Sequence, residues 1–538
     1  MFEISKRDGL ARLGKIKTNH GALDTPTLLP VVNPKILTLS MDELKECGAQ
    51  GLITNSYIIY KNSELKKVAE KKGVHGLLNW DGPIMTDSGT FQSHVYGEID
   101  MQPDEILNFQ KKIGVDIGTV LDVFCEPETR FEDAKKELEE TQRRIEESDK
   151  NKGSIFLAAP IQGGRHLDLR LKAAEMASQT NAELFPIGGV VPLMEKNNFE
   201  KLAEVIIAAK KGLDISRPVH LFGCGHPMLF ALASFLGCDL FDSSSYAKFA
   251  SRDSLMFTWG TRNLEELEEF PSEFSAAPGI TVNQLKAMEK KQRQKIIAKH
   301  NLIVSFTEIR RVKQAIHDGL LWELVENRLR TSPALMKIFS ILKREMDWIS
   351  EFEPAYRYKT PIKTGNESDH RPIFSKLTNS FKSGDMVHPY FGKFPNHLSE
   401  TYPFHPGLLQ DDIEGWKMQD WNVGRVQTIL DYQFGKGIGK ILTDGETELV
   451  VSRKTKRLRN LLLNGEHVAS LSHRRGMFIL QKKGAELIHQ SSKSPKFRVI
   501  VDAETAEFNR KGKSVFCKFI EDIDSNLRCM DECIVVTP

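Results

Sequence analysis

The chain has 538 residues, 27% of them Asp, Glu, Lys or Arg, 40% hydrophobic, with a formal net charge of +2. That is too long for one core and ordinary for soluble globular protein, so a large domain with smaller ones is expected. No apolar run approaches the roughly 20 residues of a membrane span, and the N-terminus lacks a basic-then-apolar leader, which predicts a cytoplasmic protein with no membrane partner.

Eight short apolar bursts punctuate the first half: Thr27–Val32, Gly51–Asn55, Ile84–Asp87, Ile117–Val123, Ile155–Gln162, Leu184–Gly189, Val219–Gly223 and Cys238–Asp242. Each has the length of a buried parallel strand, and intervals such as Ala134–Ser148 and Phe199–Lys211 carry helical spacing. Eight such repeats predict a (β/α)8 TIM barrel, class α/β, in which reactive groups sit where strands end. Asn55, Asp87, Asp122, Gln162, Gly188, Gly189 and Asp242 would then converge on one mouth.

Beyond Tyr246 a charged amphipathic stretch runs to Lys313, and a helical run follows to about Ser350. Tyr356–Phe374 reads as loop or linker, Pro389–Phe404 as a compact irregular module, and Trp416–Leu430 as helix. From Leu458 the pattern turns β-like, with a hairpin signal at Asn464-Gly465. The predicted division is a barrel over 1–345, small α+β modules over 346–408 and 409–452, and a small basic β-barrel over 453–538. From Arg453 onward, 17 Lys/Arg face 10 Asp/Glu, a local charge of +7 that leaves −5 for the rest. A basic tail on a faintly acidic body suits a polyanion partner. Seven scattered cysteines show no disulfide framework, and Cys517, Cys529 and Cys533 read better as inert thiols than as metal ligands.

Chemically, two strand-end carboxylates suit displacement at an anomeric carbon, one as nucleophile and the other as proton carrier. Asp122 could accept N–H bonds from a guanine-like edge, Gln162 could donate and accept, and Gly188-Gly189 would let backbone approach a flat ligand. Phe91 could stack on a base. A glycoside hydrolase would use the two carboxylates but neither the basic tail nor the base-reading edge.

The motifs IMTDSGTFQ, IGVDIGTVLD, PIQGG, PIGGVVPLME, VHLFGCGHPM and LFDSSSYA, in this order, resemble the archaeal tRNA-guanine transglycosylase family. The resemblance extends to PYFGKFPNHLSETYPF, DYQFGKG and RKGKSVFCKF, so it spans nearly the whole chain. It implies exchange of guanine at position 15 in the tRNA D-loop for 7-cyano-7-deazaguanine (preQ0), a step toward archaeosine, and a C-terminal PUA RNA-binding domain over 453–538. It also implies tRNA as partner, preQ0 and guanine as small-molecule substrate and product, and a homodimer. By the same resemblance Asp242 is the nucleophile, Asp87 the general acid/base, Phe91 the stacking residue, and Asp122, Gln162, Gly188 and Gly189 the base-reading groups. A non-exchanging tRNA-binding paralogue, or a protein like archaeosine synthase, is the alternative within the resemblance.

Two departures stand out. The family's zinc cysteines are replaced by Ser272, Phe274 and Ala277, with only His300 left, so no metal or other cofactor is predicted and His300 is expected to be an ordinary helix-end histidine. Burial of Phe270, Phe274, Ile280, Leu285, Met288, Ile296 and Ile297 should hold the segment instead, with Phe274 in the metal's place. The C-terminal domain also ends sooner than the resemblance leads one to expect.

Overall fold

The computed structural model describes residues 2–90, 101–271, 274–355, 365–380, 386–388, 392–394, 396–398, 420–472, 475–528 and 530–538. The chain divides into two compact units, one made of 1–6, 10–317 and 324–342, the other of 7–9, 318–323 and 343–538.

In the first unit the eight expected strands all form: β4 Thr27–Pro30, β5 Leu52–Asn55, β6 Ile84–Asp87, β7 Ile117–Thr119, β8 Phe156–Ala158, β9 Phe185–Ile187, β10 Val219–Leu221 and β11 Leu240–Ser243. They build two four-stranded parallel sheets, ordered β5-β6-β7-β8 and β4-β11-β10-β9. Parallel bridges Val31↔Ile53 and Ala158↔Leu184 link the sheets at both junctions. Nearly every strand residue is buried, as strands covered on both faces require. Thr54 is a buried polar exception with a partner, its Oγ1 donating to the Val32 carbonyl at 2.8 Å, whereas the buried Thr119 Oγ1 has none among the described residues. Helices fill the intervals, including Phe131–Asn151 and Phe199–Gly212, slightly longer than their periodicity predicts.

Sequence reading missed an antiparallel sheet that precedes these strands, β1 Phe2–Asp8, β2 Ala11–Thr18 and β3 Gly21–Thr25. Its interspersed lysines hide the alternation that buries Ile16 and Leu23. Those two pack in one cluster with Leu29, Ile53, Met85, Ile117, Ala158, Leu184 and Leu240. Most of these lie away from the carboxyl ends of their strands, which therefore stay free for polar groups. Two clamps fix the early sheet. The Arg12 guanidinium pairs with buried Asp239 at 2.7 Å, and Asp239 also accepts from Val219 N–H. Asp116 accepts from His20, His75 and the Ile84 N–H. A hairpin over Ser254–Phe257 and Gly260–Asn263 likewise interrupts the stretch read as charged and amphipathic.

The second unit is organised around one apolar cluster containing Ile373, Leu377, Ile429, Leu458, Leu461, Val468 and Phe478. Helix Val423–Phe434 matches the expected helical spacing, displaced toward its C-terminal end. The linker reading fails at its end: helix Pro372–Ser380 starts inside it, with Pro372 at a first-turn position where its missing N–H costs nothing. The hairpin at Asn464-Gly465 joins Leu458–Leu463 to Glu466–Ser472, both turn residues at positive φ (50° and 78°) as a two-residue hairpin loop prefers. The sheet they belong to begins at Thr447–Val451, so a boundary at 452 would cut it. Residues 453–538 hold strands of two sheets: the last three of that four-stranded one and all of a three-stranded one from 498–501, 520–523 and 534–536. Most of Pro389–Phe404 lies outside the described residues.

Candidate active site

Strand register assembles the site. β5 and β6 pair in parallel with Asn55 opposite Asp87, the last residue of each strand. Asn55 Nδ2 donates to Asp87 Oδ2 at 2.7 Å, while Asn55 Oδ1 accepts from Ile58 N–H and so caps the next helix. Burial, with Asp122 and Asp242 nearby as further negative charge, pushes the Asp87 carboxyl up to about 6. Near neutral pH it can both hold and release a proton.

Asp242 sits in β11, paired with β10 on one side and β4 on the other. Its Oδ1 is hydrogen-bonded to His220 Nε2 at 2.9 Å and to the Gly223 N–H at 2.9 Å. Both recorded bonds fall on one oxygen, and the carboxylate lines a cavity of ≈ 1040 Å³ that Asp87, Asp122, Gln162, Gly188 and Gly189 also line. Asp122 is buried and accepts from Gln162 Nε2 at 2.5 Å, and burial raises its carboxyl above the usual carboxylate range. Gly188 and Gly189 are needed as glycines. A Cβ at Gly188 would lie 2.5 Å from Gln162 Nε2, and one at Gly189, φ 67°, would lie 2.5 Å from the Cys125 carbonyl oxygen.

All seven residues expected to converge on one mouth, Asn55 among them, therefore line one cavity; Phe91 lies outside the described residues. Sequence reading missed His220. The signal available was a histidine inside an apolar burst, fully buried in a three-residue strand, where a polar side chain needs a partner.

The zinc position holds something else. His300 is buried in the middle of helix Lys290–Asp318, not at a helix end, and burial lowers its pKa to about 4. The Phe274 ring stacks on the imidazole with centroids 4.8 Å apart, and Phe270 stacks on Phe274 at 4.0 Å. Phe274, Leu285 and Ile297 are buried; Phe270, Ile280, Met288 and Ile296 are half-buried. Ser272 lies outside the described residues. One imidazole nitrogen beside two phenyl rings offers a single ligand where tetrahedral zinc needs four, so these residues do not fit the metal.

Comparison with known proteins agrees with this chemistry. Residues 7–334 match the family described as queuine tRNA-ribosyltransferase, and residues 424–495 match patch-forming domain C2 of tRNA-guanine transglycosylase, a stretch that runs across 452. The chain is 42% identical over 542 residues to the tRNA-guanine(15) transglycosylase of Thermococcus onnurineus, covering 99% of this chain and 93% of the relative. It is 37% identical over 616 residues to that of Methanocaldococcus jannaschii, covering 99% and 94%. The chain belongs to the queuine tRNA-ribosyltransferase family, alongside the archaeal tRNA-guanine(15) transglycosylases, and is an enzyme of the transferase class.

Proposed function

We propose that this chain exchanges guanine at position 15 in the D-loop of tRNA for preQ0, through a covalent ribosyl–enzyme intermediate, as a step of archaeosine biosynthesis. The observation that carries the reading is the contrast between two carboxyls at one cavity: Asp242 braced by two donors on Oδ1, and Asp87 pushed up to about 6. Asp242 Oδ2 attacks C1′, the guanine leaves with the bonding pair, and Asp87 supplies its proton. The incoming base gives a proton back to Asp87 and displaces Asp242 from C1′. Phe91 stacks on the base, while Asp122, Gln162, Gly188 and Gly189 read its edge. His220 orients the nucleophile. No cofactor is required, and zinc is absent from segment 270–301.

The architecture we infer is a closed (β/α)8 barrel, supported by the strand order and by bridges at both sheet junctions. The C2-like module is extended to 495 to follow its match, which confines the PUA-like part to the residues after it. The exposed run Arg453, Lys454, Lys456, Arg457 and Arg459 suits phosphate contacts. A homodimer and a cytoplasmic setting complete the proposal.

The test is incubation of purified protein with unmodified tRNA and labelled guanine or preQ0. Incorporation at position 15 is expected for both, with a denaturant-stable protein–tRNA adduct when free base is withheld. Tight tRNA binding without incorporation would identify a non-exchanging paralogue instead.

A further inference from the structure

The loops that carry the base-reading glycines are held from behind by a buried cation that no sequence motif points to. Arg170, on helix Leu167–Ser178, is 0% exposed. Its Nε donates to the Gly164 carbonyl at 2.9 Å, and its Nη1 donates to the Ile161 and Gly188 carbonyls at 2.6 and 2.8 Å. Its Nη2 has no hydrogen-bond partner, and no carboxylate among the described residues forms an ion pair with it. Desolvation lowers its pKa to about 10, which leaves it charged at neutral pH.

An interior guanidinium with no carboxylate bonded to it, and only Asp122 acting on it at longer range, is costly, and an apolar side chain would fill the same space at lower cost. What an apolar residue could not do is follow from the peptide it touches. The Gly188 carbonyl and the Gly189 N–H are opposite ends of one peptide unit. A charged donor on the oxygen draws electron density through that unit and makes the N–H a stronger donor. Gly189 lines the cavity, and its N–H makes no hydrogen bond to another described residue. A Cβ at Gly189 would lie 3.4 Å from Arg170 Nη2, so the guanidinium sits directly behind this glycine. The Ile161 carbonyl belongs, in the same way, to the peptide whose N–H is that of Gln162.

We propose that Arg170 is a positioning residue that fixes and polarises the Gly188–Gly189 peptide, so that the Gly189 N–H stabilises negative charge on the carbonyl oxygen of the purine as it leaves or attacks C1′. This rests on the exchange reading above. When the C1′–N9 bond breaks, both electrons go to the base, and its ring carbonyl takes up part of the charge until Asp87 delivers a proton. A donor aimed at that oxygen acts where charge develops, where electrostatic help is largest.

The experiment compares Arg170→Met and Arg170→Lys with wild type in the full-length chain, by exchange kinetics and by the affinities of guanine and of 2-aminopurine, which has hydrogen in place of the carbonyl. For the Met variant, kcat should fall by roughly 10²-fold with the KM for tRNA nearly unchanged. Guanine affinity should fall about tenfold and 2-aminopurine affinity less than about twofold. The Lys variant keeps the charge but cannot reach all three carbonyls, so an intermediate loss of guanine preference is expected. If the Met variant does not fold, the Lys variant decides. Equal loss for both bases, or unchanged preference, would mean that Arg170 only holds loop shape. A wild-type chain that exchanges no base would sink the function reading first, whereas normal wild-type exchange with unaltered base preference in the variants sinks this proposal alone.

Discussion

Replacing Asp87 by Asn should make the protein more stable above pH 6 while abolishing exchange. The folded state raises this carboxyl from 3.8 to about 6, chiefly by burial. Because the folded value exceeds the unfolded one, the folded state binds the extra proton between those two pH values, and stability falls as pH rises through that window. Below about pH 4 the group is neutral in both states and contributes no penalty; above about pH 6 the penalty is complete. At about 1.4 kcal/mol per unit, the shift amounts to about 3 kcal/mol. An amide cannot ionise, so the variant escapes it, and the Asn55 amide keeps an acceptor at the new side chain. Urea unfolding of the first unit, followed for both proteins from pH 4 to 8, gives the difference directly. It should grow by about 3 kcal/mol across that range and then level off, with effects common to both proteins cancelling. In wild type the exchange rate should show a limb near pH 6, which the variant lacks along with its activity. A stability difference that stays flat from pH 4 to 8 would refute the reasoning, since it would place Asp87 in an environment that does not penalise its charge.

Asp242→Ala should remove both exchange and the covalent adduct while tRNA affinity stays within about threefold, because affinity comes from phosphate contacts; a surviving adduct on a denaturing gel would move the nucleophile elsewhere. Deleting everything from Arg453 would remove Leu458, Leu461 and Val468 from the second unit's core, so the basic tail is better tested by replacing Arg453, Lys454, Lys456, Arg457 and Arg459 with Gln. The slope of log affinity against log salt should then shrink by up to roughly 0.7–0.9 for each phosphate that is no longer neutralised, and an unchanged slope would assign the RNA grip to other surfaces. Phe274→Ala should cost about 3 kcal/mol, since it removes a buried ring stacked on both His300 and Phe270. Strong chelators should leave the wild-type melting temperature unchanged, and a chelator-induced drop would show that a metal orders this segment after all. His300, with its pKa lowered to about 4, contributes stability that is complete above about pH 6.5 and is lost as pH falls toward 4; His300→Leu should flatten that part of the stability curve.

The parallel strands were legible because burial on both faces forces an unbroken apolar run, and the polar residue that stops the run is the one that reaches the mouth. Asp87 and Asn55 follow that rule as strand-end residues. β1 to β3 escaped notice because a sheet with one wet face admits Lys6, Lys15 and Lys17 among its apolar positions and loses the clean signal. His220 and Arg170 were hidden for another reason. Their importance lies in whom they touch, Asp242 and the Gly188 carbonyl, and those contacts cross from one strand or helix to another. His300 illustrates a third limit. The loss of three thiolates was readable, but the closing of an aromatic stack over the remaining imidazole depends on where a 29-residue helix passes.

The pairing of β11 with β4 places Asp242 opposite Leu29, about 210 residues earlier in the chain. Arg12 reaches the same strand through Asp239, so the earliest sheet is fastened to the last strand of the series. The proposed nucleophile thus lies on a seam that can be sewn only after all the intervening chain has been synthesised. A ribosome-bound fragment ending before Leu240 could gather Asn55, Asp87, Asp122 and Gln162, yet it would carry no nucleophile. On the exchange proposed above, competence to break a glycosidic bond arrives with the longest-range pairing in this unit's strand order, and a partly made enzyme would be chemically silent toward RNA.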